Sequence, residues 1–177
     1  MKSFAVPTRE EVSPANQALF DTLKKNIGSV PNLFAAYAYS ENALGSYLAL
    51  SGAKTSLRAK EKEVVNLIVS QVNGCEYCLA AHTAISKGQG FTDQQILEIR
   101  RGEISFDNKL DALVKVAKSI AENKGHATPE TVDNFLAAGY NQGSLIDVVM
   151  VVGDKTITNY VFALTAVPVD FPVAPAI

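Results

Sequence analysis

The chain has 177 residues, 47% of them apolar, with a formal charge of -2 and an isoelectric point near 5.7. That length allows one domain with a real core, and the charge leaves no basic field to neutralise phosphates, so a nucleic-acid partner is not expected. The opening Met1-Lys2-Ser3-Phe4-Ala5-Val6-Pro7 lacks an apolar core of signal-peptide length. The longest apolar run, Leu145 to Val152, carries Asp147 and is stopped by Gly153-Asp154-Lys155, so the chain reads as a cytoplasmic protein with no membrane partner.

The pattern is helical from end to end, without convincing period-two alternation. Ser13 and Pro14 supply an N-cap and a first-turn proline, and Ala15, Leu19 and Leu23 recur at helical spacing, which predicts a first helix from Pro14 to Asn26 ahead of Gly28. Val30-Pro31-Asn32 opens a short second segment, and Ser40 precedes a third through Leu44, Tyr47, Leu48 and Ser51. Leu57 to Val72 is strongly periodic, with Lys60, Glu61 and Lys62 read as an exposed helix start, and Asn73-Gly74 breaks it. The next helix begins near Glu76 and ends at Gly88-Gln89-Gly90. Thr92-Asp93-Gln94-Gln95 has the capping-box pattern and introduces a helix that stops near Gly102. Asp107 caps another that stops at Gly125, and Thr128-Pro129 starts a short one ending at Gly139. Ser144 is the expected cap of the last, which runs through Val148, Ile157, Val161 and Leu164 to the prolines 168, 172 and 175. Seven or eight helices with short connections predict an all-α bundle, a single domain over 1–177.

The only two cysteines stand two residues apart in Cys75-Glu76-Tyr77-Cys78, in the first turn after Asn73-Gly74, with His82 four residues beyond Cys78 and Glu63 on the preceding helix. Two thiols at this spacing can close a disulfide with modest adjustment, and His82 shares their helical face. The unpaired N–H groups and positive dipole of a helix start favour thiolate over thiol, so one cysteine is expected to be unusually acidic. Across a tight antiparallel hairpin, Glu63 lies about three turns back and His82 about two turns forward, which brings carboxylate towards imidazole. Zinc held by Cys75, Cys78, His82 and either Glu63 or His126 is the competing reading, disfavoured because closed zinc sites usually bring a second ligand pair. No metal and no cofactor is therefore expected. Covalent haem needs a histidine directly after the second cysteine, where Leu79 stands. His126 reads as a solvated loop residue. Asp154, Thr156 and Asn159, polar positions in the last apolar helix, are read as lining either the pocket or an intersubunit contact.

The stretch 57–96, with Glu63, Cys75, Cys78 and His82 in LRAKEKEVVNLIVSQVNGCEYCLAAHTAISKGQGFTDQQI, resembles the core signature of the alkyl hydroperoxidase D (AhpD)-like group of the carboxymuconolactone decarboxylase superfamily. GSVPNLFAAYAYSEN extends the likeness towards the N-terminus. The resemblance implies an all-α fold, assembly into trimers or hexamers, and thiol-dependent reduction of peroxides. It implies Cys78 as the peroxidatic cysteine, Cys75 as its proton donor and resolving partner, and Glu63 with His82 as the activating relay. One position departs from the pattern: Tyr77 stands where well-known peroxidase members carry a histidine, and a phenol is a poor proton carrier at neutral pH. The resemblance also implies an external dithiol reductant, lipoyl-bearing or thioredoxin-like.

In chemical terms, Glu63 is expected to orient His82 and stabilise its protonated form, while His82 accepts the Cys78 proton. The alternatives are a thiol-disulfide oxidoreductase without a peroxide substrate and a redox-sensing module.

Overall fold

A computed structural model describes residues 3–177. Met1 and Lys2, which begin the opening segment read above, lie outside the described residues. Among the described residues there are nine α-helices, one 3-10 turn at Arg9–Glu11 and no strand. The chain is all-α. The count exceeds seven or eight because the short segments after Pro31 and Ser40 each close as helices. No single helix among the described residues is long and apolar enough to cross a membrane. Two compact units emerge, one holding the residues up to Ala53 with Tyr160–Asp170, the other Lys54–Asn159 with Phe171–Ile177.

In the first unit, α1 (Pro14–Ile27) starts where Ser13 accepts the backbone N–H of Asn16, and it ends at Gly28, whose φ of 87° is left-handed. α2 (Asn32–Tyr37) and α3 (Ala43–Ser51) follow. Phe20, Leu23, Leu33, Leu44 and Tyr47 are buried, and Tyr37 stacks on Tyr47 with centroids 4.6 Å apart. The fully buried Asn16 side chain donates to the carbonyls of Ala38 (3.2 Å) and Ser40 (3.0 Å), fixing the chain between α2 and α3.

The second unit is built round α4 (Ala59–Val72), in which Val64, Val65, Leu67, Ile68 and Val69 are each at most 1% exposed. A helix apolar on every side needs partners on every side. They come from α6 (Asp93–Arg101) through Ile96 and Ile99, α7 (Asn108–Glu122) through Leu113, Val114, Val116 and Ala117, and α8 (Pro129–Ala137) through Phe135. Val148, Val151 and Val152 of α9 (Gln142–Thr165) join the same cluster. Full burial of such side chains stabilises by about 1.5–3 kcal/mol each. α4 is thus a rigid wall for whatever is mounted on it.

α5 (Glu76–Gly88) returns along α4. The capping box at Thr92 and the Asp107 cap form as expected. Ser144 does not cap α9. That part is taken by Asn141, whose Oδ1 accepts the Ser144 N–H at 2.9 Å, because the helix begins three residues earlier than its apolar pattern. Glu61 is not exposed either: at 3% exposure it accepts the Arg58 backbone N–H at 2.7 Å and the Tyr140 hydroxyl at 2.9 Å, closing a capping box from inside.

Candidate functional site

The two-residue turn of Asn73 and Gly74 separates the end of α4 from Cys75. Gly74, with φ of 64°, makes the left-handed step of that turn, and the Cys75 N–H then donates to the Ser70 carbonyl at 2.9 Å. Cys75 is the N-cap of α5: its Sγ accepts the Cys78 backbone N–H at 3.3 Å. A sulfur in the capping position folds back over the first turn, which places both sulfurs at the positive end of the helix. Each cysteine is 2% exposed, and both are free thiols.

Their proton affinities separate. The hydrogen bond with Cys75 lowers the Cys78 pKa, against burial, with further help from the Lys155 charge and an Asn159 hydrogen bond. The same hydrogen bond to Cys78, with burial, pushes Cys75 well up. Of the two sulfurs, Cys78 is therefore the one that loses its proton more readily and Cys75 the one that keeps it.

Glu63 stands on α4 and His82 on α5, and Glu63 Oε2 lies 2.7 Å from His82 Nδ1. The Asn66 side-chain amide donates to the other carboxylate oxygen at 2.9 Å. Burial alone would raise the Glu63 pKa, but the His82 charge and the hydrogen bonds from His82 and Asn66 outweigh it and lower it. Glu63 is therefore ionised and can only accept, so Nδ1 carries a proton and Nε2 is left as the base. Glu63 favours the protonated form of His82, as expected, but burial and then the Lys155 charge outweigh it and lower the His82 pKa. A neutral imidazole with a fixed tautomer can take a proton; an imidazolium cannot.

The third wall comes from α9. Asn159, 2% exposed, accepts the Asn73 side-chain amide at 2.8 Å and donates to Ser70 Oγ at 3.4 Å, so it holds the end of α4 that leads into Cys75. One helical turn earlier stands Lys155, 4% exposed, and beside it Asp154, whose Oδ1 is buried without a hydrogen-bond partner. Of the three polar positions singled out in this helix, Asn159 meets the end of α4 before the thiols, while Asp154 and Thr156 are half-buried. Lys155 escaped sequence reasoning because it serves there only as the end of an apolar run. The available signal was its i, i+4 spacing to Asn159.

Tyr77 is 3% exposed, and its ring meets Phe171 edge-on at 5.6 Å. It occupies the turn between the thiols as a packed ring. His126 is exposed in the loop between α7 and α8 and is not brought to the cysteines. Among the described residues, no group of three or more His, Cys, Asp or Glu side chains is arranged to hold a metal ion.

A helical hairpin carries paired thiols at its turn and a carboxylate-held imidazole behind them. Residues 33–119 match the model of the carboxymuconolactone decarboxylase family, and the chain is similar in fold to AhpD-like proteins. It is similar to the crystal structure of an uncharacterized peroxidase-related protein from Silicibacter sp. TM1040, at TM-score 0.79 and 23% identity over 95% of this chain and 94% of that one. An AhpD-core peroxidase-related protein from Ralstonia eutropha JMP134 gives TM-score 0.85 at 15% identity over 95% and 92%. The debrominase Bmp8, in a cysteine-to-alanine variant bound to 2,3,4-tribromopyrrole, gives TM-score 0.78 at 15% identity over 96% and 93%. At these identities the likeness is one of fold.

Proposed function

We propose that the protein is a thiol-dependent peroxidase that reduces alkyl hydroperoxides or hydrogen peroxide. The observation that carries this reading is the 2.7 Å contact between Glu63 and His82, on the helix whose first turn holds both thiols. His82 Nε2 takes the Cys78 proton, directly or through water. The thiolate attacks the distal peroxide oxygen, the O–O bond breaks, and the departing alkoxide or hydroxide takes a proton from Cys75 or His82 and leaves as alcohol or water. Cys78, oxidised by two electrons, is then a sulfenic acid. Its sulfur forms a bond with Cys75 sulfur and releases water, and an external dithiol, lipoyl-bearing or thioredoxin-like, returns the pair to two thiols while itself becoming a disulfide. Tyr77 between the sulfurs supplies packing in place of a proton carrier.

Stopped-flow oxidation of the reduced protein, with hydrogen peroxide and an organic hydroperoxide side by side, tests the reading. Consumption of one peroxide per two thiols supports it. Disulfide exchange without peroxide consumption would make the protein a thiol-disulfide oxidoreductase, and turnover of 2,3,4-tribromopyrrole, the compound bound by the Bmp8 variant, without peroxide reduction would overturn it.

A further inference from the structure

The relay of Glu63 and His82 accounts for removal of the Cys78 proton but leaves the resulting negative charge in a nearly water-free place. A sulfur 2% exposed cannot rely on solvent for its counter-charge. Helix-start N–H groups provide part of the compensation, the Cys78 N–H itself being engaged by Cys75 Sγ at 3.3 Å. A neutral His82 provides none. A buried cation of this unit whose charge acts on Cys78 is Lys155, 4% exposed.

Its place on α9 is set by Asn159. That side chain sits one helical turn after Lys155 and is bound to Asn73 at 2.8 Å and Ser70 at 3.4 Å, the C-cap and last turn of α4 just before Cys75. Residues four apart share a helical face, so the face of α9 that clasps the thiol turn is the face that carries the ammonium. The charges Lys155 acts on are Cys78 and His82 of α5 and Glu63 of α4. Asp154, its neighbour on α9, acts on Cys78 and His82 with the opposite sign. Burying a lysine is costly unless an anion meets it, and the site creates that anion on Cys78.

We propose that Lys155 is a positioning residue for the reaction, the counter-charge against which the Cys78 thiolate forms, held in place from α9 by Asn159. This rests on the thiol reading of the site but not on the identity of its oxidant. Lys155 also adds to burial in keeping the imidazole neutral: one ammonium stabilises the thiolate and disfavours a second positive charge on His82. The same residue thereby lowers the proton affinity of both the thiol and its base.

The test compares wild type with Lys155→Met, which keeps the length and loses the charge, and Lys155→Arg, which keeps the charge. Cys78 is titrated by pH-dependent alkylation read by mass spectrometry, and His82 by its ring proton resonances. In the Met variant both midpoints should rise, that of Cys78 by about one unit, which is about tenfold less thiolate below the midpoint, while the Arg variant stays near wild type. A lysine needed only for packing would move neither midpoint once circular dichroism shows a folded chain, and that result overturns the proposal. Should the Met variant not fold, the reciprocal measurement stands in: the Lys155 titration followed by NMR in wild type and in Cys78→Ser. Coupling is mutual, so losing the thiolate must lower the Lys155 midpoint. An unchanged midpoint overturns the proposal. None of these readouts uses peroxide, so a protein that fails to consume peroxide can still show the coupling, and a working peroxidase can still lack it.

Discussion

Glu63 and His82, nineteen positions apart in the chain, meet at 2.7 Å on facing helices, and the second carboxylate oxygen is tied by Asn66 at 2.9 Å. Glu63→Gln keeps the shape and removes the charge. His82, already made less basic by burial, loses the interaction that raises its proton affinity. The peroxide rate is expected to fall on the order of 10²-fold, the lower end of general acid-base contributions, with the fold intact. Stopped-flow rates beside circular dichroism check this, and equal rates would remove Glu63 from the relay.

The thiols are expected to differ in reactivity because their pKa values move apart, Cys78 down and Cys75 up from the ordinary 9.0. Thiolate is present above a group's midpoint and is lost as pH falls through it. Iodoacetamide should therefore modify Cys78 at pH values where a free cysteine is still protonated, while Cys75 stays unmodified. Peptide mapping after timed alkylation decides, and equal labelling of both would refute the assignment.

Substitution by serine separates the two roles. Cys78→Ser should abolish peroxide consumption. Cys75→Ser should permit one oxidation and then accumulate sulfenic acid on Cys78, since no partner remains to condense with it. Serine is itself a preferred N-cap, so the start of α5 should survive the change, with a cap typically worth about 1 kcal/mol. Mass spectrometry after one equivalent of peroxide reads the outcome; sulfenic acid on Cys75 in the Cys78→Ser protein would reverse the roles.

Acid should destabilise the chain in two stages. His82 has an ordinary pKa of 6.5 that burial lowers, so its contribution is present above that value and is lost as pH falls from there through the folded value. Glu63, whose ordinary 4.5 is also lowered in the folded protein, adds a second loss below that value. Urea midpoints should decline between about pH 7 and about pH 5, and His82→Gln should flatten that first stage.

Association is expected from the outer side of α9. Val148, Val151 and Val152 are buried, yet Ile146, Val149 and Met150 are 63%, 46% and 48% exposed. This helix is thus buried on one side only, and a second copy is the partner proposed for the other. Light scattering at micromolar concentration should give a multiple of 18.9 kDa, and Ile146→Glu combined with Met150→Lys should reduce it to one.

The α4 and α5 hairpin was legible in the sequence because everything that makes it is local. Period 3.6 runs through Val64, Leu67 and Ile68, Asn73-Gly74 makes the turn, and helix geometry then brings Glu63 to His82. Lys155 and Asn159 were less legible. Their place depends on how a helix some eighty residues further on packs against the hairpin, and their i, i+4 spacing marks a shared face without saying what that face meets. Glu61 illustrates the same limit from the other side: a charged residue in a run of lysines has an exposed pattern, and only the Tyr140 hydroxyl, from a distant turn, reveals it as buried.

Both sulfurs being 2% exposed has a kinetic consequence. A small peroxide can diffuse through side-chain fluctuations, but a dithiol carried on another macromolecule must touch sulfur directly, and the first turn of α5 has to unwind to let it. Recycling then consists of an opening event followed by exchange. At low donor concentration the rate should climb with donor; at high concentration it should level off at the frequency of unwinding, the same for every donor. The plateau would belong to the fold of the protein, and the slope beneath it to its partner.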